Sequence, residues 1–169
     1  MTSVSTNCCR LTERRTKKLS PMFFPIHTNF RRMPLTVEFT VPGNPVGKGR
    51  PRFTKIGHAY TPKETVDYEA HIRRCYKEQC GDTMLDGAIR MMLMVYVPVP
   101  KSAPKKKREQ MLLGEIRPLT KPDNSNILKG VEDALNGVAY IDDKQICDHD
   151  GIHKFYSENP RIEVTLREV

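Results

Sequence analysis

Tryptophan is absent from this chain of 169 residues, and aromatic residues of all kinds make up only 7% of it. Proteins that bind single-stranded nucleic acid without sequence preference stack successive bases on aromatic side chains. The sequence shows no such stacking platform. A general RNA-binding or single-strand-binding protein is therefore a weak interpretation.

Long apolar runs are missing as well. No stretch of the sequence approaches the roughly 20 apolar residues that a membrane-spanning helix needs. The apolar segment Pro21–Ile26 is too short for the core of a secretory signal. We therefore expect a protein that acts in the cytoplasm and has no membrane partner.

The five cysteines include no C-x-x-C pair, and their number is odd. Without an export signal, reduced thiols in a cytosol are the simplest interpretation. A zinc site built from Cys147, His149 and His153 is an alternative. It lacks the four closely grouped ligands that a structural zinc site needs.

The net charge of +8 is unevenly distributed along the chain. Residues 1–32 hold seven basic residues against Glu13 alone, a balance of +6, which leaves +2 for residues 33–169. Basic patches can neutralise phosphates and steer a polyanion, although many charge runs are only solvated surface. The basic residues of the second part form two clusters, Lys48, Arg50, Arg52 and Lys55, and then Lys101, Lys105, Lys106, Lys107 and Arg108.

Residues 1–32 show no sustained periodicity and are rich in Ser, Thr, Arg and Lys. We predict a flexible basic N-terminal extension there. One alternative is that translation starts at Met33 and the extension is not native. A mitochondrial-type presequence, which shares the acid-poor composition, is a second alternative, although no convincing amphipathic helix is present.

Strand patterns begin directly after this extension. Strict alternation over Leu35–Val41 predicts a half-buried strand, and the segment 47–52 after it reads as a mobile basic loop. The apolar run Ile89–Val99 predicts a strand covered on both faces, hence a central strand with helices packed against it. Two further strands are predicted at about 145–155 and 161–169.

Three helices are predicted between these strands. The first would start with Thr61 as its cap and Pro62 at the first helical position, and would stop at Gly81. A short basic helix at 102–113 and an amphipathic helix at 125–136 follow. The sum is an α/β (α+β) fold, a single compact domain with a mixed sheet of four or five strands.

Three carboxylates flank the amphipathic helix. Asp123 lies in the turn before it, and Asp142–Asp143 follow it after a short turn, so we expect all three to return to one end of the domain. Carboxylates brought together repel one another unless a cation such as Mg²⁺ neutralises them. The plainer alternative is a helix cap, a solvated turn, and an ordinary ion pair between Lys129 and Asp133.

Several motifs identify a family. The pattern K-P-D-x-x-N-x-x-K-x-x-x-D-A-L-N-G spans Lys121–Gly137, and D-D-x-Q-I spans Asp142–Ile146. Together with P-x-G-K-x-R-P-R at Pro45–Arg52, the basic stretch Lys101–Arg108, and K-F-Y-x-E-x-P-R-I-E-V at Lys154–Val164, they resemble the RusA-type Holliday-junction resolvases of bacteria and their phages.

This resemblance covers essentially all of residues 33–169, which we predict to form a RusA-like nuclease domain. It implies an endodeoxyribonuclease that resolves Holliday junctions by paired symmetric cuts, in DNA recombination and repair. It further implies Mg²⁺ as cofactor, for which Mn²⁺ can substitute, branched DNA as partner, and a homodimer without a small-molecule cofactor. The setting would be a bacterial or phage-infected cell.

The resemblance also assigns site residues by position. Asp123 and Asp143 would be metal-binding catalytic carboxylates, with Asp142 as the adjacent metal-binding acid and Lys129 as the catalytic lysine. The residues expected to contact DNA are Lys48, Arg50, Arg52, Lys105, Lys106 and Lys107.

One position departs from the family pattern, which usually reads D-x-D-N where this chain has Ser125 in place of the second aspartate. A serine hydroxyl is a weaker magnesium ligand than a carboxylate. Three explanations stay open. Asn124 or Asn126 supplies an oxygen, Asp148 or Asp150 replaces the lost charge, or the site is weakened and the protein binds junctions without cutting them.

Overall fold

The structure is a computed structural model that describes residues 33–53, 55 and 57–169. The predicted N-terminal extension, residues 1–32, lies outside the described residues and stays a prediction. In chain order the described elements are β1 (Thr36–Pro42), β2 (Arg52–Phe53), β3 (Ala59–Tyr60), α1 (Lys63–Cys80), β4 (Ile89–Pro98), α2 (Lys105–Leu112), α3 (Asn124–Leu135), β5 (Ile146–Ser157) and β6 (Arg161–Glu168).

Four of the strands form a mixed sheet in the order β1-β6-β4-β5. Strand β6 pairs antiparallel with both β1 and β4, whereas β4 and β5 are parallel. Strands β2 and β3 form a separate small hairpin. The predicted α+β domain with a mixed sheet is confirmed, and β4 is an inner strand as its apolar sequence predicted.

Only one face of β4 is fully covered. Ile89, Met91, Leu93, Val95 and Val97 are buried, while the residues between them are half-buried. Helix α1 packs on the buried side, where the Tyr76 and Phe39 rings meet edge to face at 5.2 Å. The expectation of a strand covered on both faces is met fully on one face, whereas long side chains cover the second face in part. There the Arg161 guanidinium lies 3.8 Å from the centre of the Tyr96 ring.

Helix α1 starts one residue later than the sequence suggested. Pro62 occupies the N-cap position with ψ of 138°, outside the helical region, and no side chain caps the helix. The predicted Thr61 cap is therefore wrong. The first-turn hydroxyl of Thr65 instead accepts a hydrogen bond from the Gly49 N–H at 3.1 Å. The predicted stop at Gly81 is confirmed, with φ of 66°.

Helix α3 positions the site. Its buried face packs into the core through residues that the predicted amphipathic pattern contained, including Ile127, Val131 and Leu135. A helix of 12 residues is about 18 Å long. No helix in the described part of the chain is long and apolar enough to cross a bilayer.

Candidate active site

Asp123 stands at the N-terminal end of α3. It occupies the N-cap position, yet its side chain accepts no hydrogen bond from the helix. The plain interpretation of Asp123 as a helix cap is therefore wrong, and its exposed carboxylate is left available for other chemistry. It lines a cleft of about 390 Å³ together with Arg117, Pro118, Leu119, Thr120, Asn124, Ile152, His153 and Lys154.

Lys154 of β5 holds the turn that precedes Asp123. Its Nζ donates to the Pro122 carbonyl at 2.7 Å and also to the Thr120 carbonyl. Burial lowers the pKa of Lys154, and the nearby Asp123 carboxylate opposes that effect. Lys154 was not predicted to have a role in the site. The one signal for it in the sequence is its place at the start of the Lys154–Val164 motif.

Asp143 begins a tight 3-10 turn, Asp143–Gln145, and Asp142 is the N-cap of that turn. The Asp142 carboxylate accepts the Lys144 N–H at 3.0 Å. This backbone hydrogen bond, and then hydrogen bonding with the Asp143 side chain, lowers the pKa of Asp142. Asp142 is thus an ionised capping group with an exposed acid, Asp143, beside it.

Gln145 holds this acidic turn in place. Its Oε1 accepts the N–H groups of Ile141 at 2.8 Å and Asp142 at 3.2 Å. Its Nε2 donates to the carbonyls of Gly87 at 3.0 Å and Leu85 at 3.3 Å, just before β4. Gln145 belongs to the D-D-x-Q-I motif, but no role was predicted for it. An Asp followed three residues later by Gln is the capping-box signal that predicts it.

The two acidic groups lie at opposite ends of α3. Strand β5 runs back along the helix, because His149 contacts Glu132 at 3.0 Å and Lys154 contacts Pro122, close to Asp123. Burial first, and then the carboxylates of Glu132 and Asp143, raises the pKa of Tyr140. The Tyr140 hydroxyl donates to the Glu132 carbonyl at 2.9 Å, so the chain just before Asp142 and Asp143 lies beside the C-terminal half of α3. About 18 Å of helix therefore separates Asp123 from the pair.

The expectation that the three carboxylates share one end of the domain is wrong. The connection after α3 folds back on the helix end, where the Gly137 N–H donates to the Tyr140 carbonyl at 2.8 Å. Asp142 and Asp143 therefore stay beside the C-terminus of the helix from which the chain emerges. The spacing of residues in the sequence does not show in which direction the chain turns after α3.

This geometry fits a metal ion only in part. Asp142 and Asp143 form a pair of neighbouring carboxylates of the kind that hard divalent cations prefer. Among residues 33–53, 55 and 57–169, however, no three His, Cys, Asp or Glu side chains are grouped closely enough to hold a metal. That finding also leaves the zinc alternative at Cys147, His149 and His153 without support.

Asp148 and Asp150 are occupied elsewhere. Both pair with Arg90, at 2.7 and 3.4 Å, and Arg90 points to the face of the sheet opposite α3. Their ion pairs with Arg90 on that face do not favour either of them as the replacement for the carboxylate missing at Ser125. Ser125 itself is exposed in the first turn of α3.

Part of the basic loop, residues 47–52, is docked on the domain, a contact that the prediction of a mobile loop did not include. The Lys48 N–H donates to the Asn126 carbonyl at 2.9 Å, and the Gly49 N–H donates to Thr65. The Lys48 ammonium pairs with Asp133. The alternative Lys129–Asp133 pair is therefore not formed, and Lys129 is exposed with no ion pair in the described part of the chain.

The other basic residues remain at the surface. Arg50 and Lys129 line opposite sides of a cleft of about 360 Å³ between the basic loop and α3. Arg52 is exposed in β2. The first turn of α2 exposes three further cations that were predicted to contact DNA, namely Lys105, Lys106 and Lys107.

Comparison with known proteins agrees with this combination of a small mixed-sheet domain and exposed carboxylates and cations. Residues 42–167 match the family model described as endodeoxyribonuclease RusA. The "Uncharacterized protein YqaN" of Bacillus subtilis (strain 168) is 42% identical over 139 residues, which cover 79% of this chain and 96% of that protein.

The chain belongs to the RusA endodeoxyribonuclease family, as its motifs predicted. Membership implies Holliday-junction endonuclease function and binding to branched DNA. Nucleases of the family generally depend on a divalent metal. The roles of individual site residues stay predictions.

Replacing Gln145 tests how the acidic turn is held. In Gln145→Leu two N–H groups and two carbonyls lose their partners, and we expect the free energy of unfolding to fall by about 1–3 kcal/mol. Amide exchange at Ile141 and Asp142 should accelerate. Urea denaturation and NMR exchange measure both effects, with the exposed Asp67→Asn variant on α1 as control. Unchanged exchange at Asp142 would contradict this role of Gln145.

Proposed function

We propose that this protein is a Mg²⁺-dependent, homodimeric endodeoxyribonuclease that resolves Holliday junctions by paired symmetric cuts. It would serve DNA recombination and repair in the cytoplasm of a bacterial or phage-infected cell. The observation that carries the proposal is the exposed carboxylate of Asp123, which makes no capping hydrogen bond and lines a cleft. The chain belongs to a family of junction endonucleases.

The acidic residues would hold the metal ion. Asp142 and Asp143 supply two adjacent carboxylates, and Asp123 is the third residue that the resemblance assigns to the metal. When bound, a divalent ion lowers the pKa of water and stabilises the charge that develops on a phosphodiester. The protein's own contribution is to hold these carboxylates, through Gln145 at one end of α3 and Lys154 at the other.

The separation along α3 supports the homodimer. One chain places Asp123 and the Asp142–Asp143 pair at opposite ends of α3, a helix about 18 Å long, yet the proposed site needs both groups. A two-fold dimer can place the N-terminal end of α3 from one chain beside the C-terminal end from its partner, and symmetry then repeats the arrangement. Two equal sites would result, one for each of the two cuts.

Lys129 suits the role of the catalytic lysine. Its exposed ammonium lies on α3 between the two acidic ends and makes no competing ion pair among the described residues. It can therefore stabilise the charge of a phosphate under attack. Arg50 and Arg52 would contact the DNA backbone, together with Lys105, Lys106 and Lys107 of α2, and such contacts weaken with added salt.

Ser125 favours a second candidate, a junction-binding protein with weakened catalysis. A neutral hydroxyl replaces the carboxylate that the family usually has, and Asp148 and Asp150 pair with Arg90 on the opposite face of the sheet. Binding and cutting are therefore measured separately in both of the following experiments.

A cleavage assay on a synthetic four-way junction tests the proposed function. With Mg²⁺ we expect symmetric nicks in two opposing strands. Asp143→Asn should bind the junction normally but cut it at least about 100-fold more slowly, because a metal-binding carboxylate is lost. Asp67→Asn, an exposed carboxylate on α1, is the control and should cut normally. Junctions that the wild-type protein binds but leaves intact would establish the second candidate instead.

Restoring a carboxylate at position 125 tests whether the serine limits the rate. Because Asp148 and Asp150 pair with Arg90, we expect Ser125→Asp to cut junctions at least about tenfold faster with unchanged junction affinity. Ser125→Asn, which adds bulk without charge, should not gain. Equal rates for the serine and aspartate proteins would show that the site is complete as it stands.

A further inference from the structure

A charged cluster connects the basic loop to both helices of the core. The Lys48 ammonium pairs with Asp133 of α3 and lies 3.7 Å from Glu69 Oε1 of α1. Arg73 approaches the same Glu69 at 3.4 Å and donates to the Ala134 carbonyl at 3.0 Å. Two cations thus face two carboxylates, and the cluster carries no net charge.

The partners of Lys48 are withdrawn from solvent. The side chain of Lys48 is 27% exposed, that of Asp133 28% and that of Glu69 14%. Asp133 Oδ2 has almost no contact with solvent and accepts no other hydrogen bond within the described chain. Removing the ammonium would leave a shielded carboxylate without its counter-ion, which is a costly state.

The backbone around Lys48 is built for close contact. A Cβ at Gly47 would lie 2.8 Å from Pro122 Cβ, and a Cβ at Gly49 would lie 2.9 Å from Thr65 Oγ1. The absence of side chains at these two positions lets the loop lie directly against α3 and α1. The G-K-G sequence is thereby explained by docking.

We propose that Lys48 is a positioning residue rather than a DNA ligand. Its ion pairs hold the basic loop so that Arg50 faces Lys129 across the cleft of about 360 Å³. The two exposed cations can then bind one DNA phosphate from both sides. Lys48 and Asp133 line the same cleft, but their paired charges cancel, so the attraction for a phosphate there comes from Arg50 and Lys129.

The clamp between Lys48 and Asp133 is tested first in the free protein. We expect the amides of Lys48 and Gly49 to exchange at least about tenfold faster in Lys48→Met and in Asp133→Asn. The Leu93 amide, in the inner strand β4, should be unaffected. Asp67→Asn is the matched control on α1. Unchanged exchange at Lys48, or an equal acceleration at Leu93, would overturn the proposal.

The consequence for DNA rests on the proposed function and is tested by a double-mutant cycle. Arg50→Ala should weaken junction binding about tenfold in the wild-type background but less than about twofold in Asp133→Asn, where the loop is released. Full additivity would overturn the positioning role. So would tighter binding by Asp133→Asn alone, because that variant frees Lys48 and removes a negative charge.

The two experiments separate the two proposals. If the wild-type protein binds no junction, the proposed function fails, while amide exchange in the free protein still decides whether Lys48 holds the loop. If exchange is unchanged and junctions are cut, the positioning role fails and the proposed function stands.

Discussion

The packing of α3 against the sheet is the constraint on which the rest of the site depends. Ile127, Val131 and Leu135 are fully buried, so the helix cannot slide or rotate without opening the core. Its length of about 18 Å places Asp123 and the acidic turn of Asp142 and Asp143 at opposite ends of the helix. We therefore propose that a site that needs both groups takes them from two chains.

Each predicted site group is held by a residue from another part of the chain. Lys154 of β5 fixes the turn before Asp123, Gln145 ties the acidic turn to the segment before β4, and Lys48 connects the basic loop to α3. Two of the groups assigned to chemistry, Asp123 and Lys129, stay exposed and make no ion pair in the described part of the chain. Because separate residues position the site and carry its predicted chemistry, the predicted site residues can be placed precisely without burying their charges.

The sequence predicted what depends on local pattern. The apolar spacing in α3 and the alternation in β1 and β6 gave the elements, and ordered motifs gave the family. The direction of the chain after α3 was predicted wrongly, because turns such as the one at Gly137 are decided by tertiary packing. Lys48 looked like Arg50 in the sequence. Only the tertiary contact with Asp133 distinguishes a structural cation from an exposed one.

Mixed dimers test the shared site most directly. A purified heterodimer of one Asp123→Asn chain and one Asp143→Asn chain retains one complete site if each site combines Asp123 of one chain with Asp143 of the other. It should then nick a four-way junction in one strand at about half the wild-type rate, whereas both homodimeric variants are inactive. A heterodimer that forms, binds the junction and cuts no strand would contradict a site built from two chains.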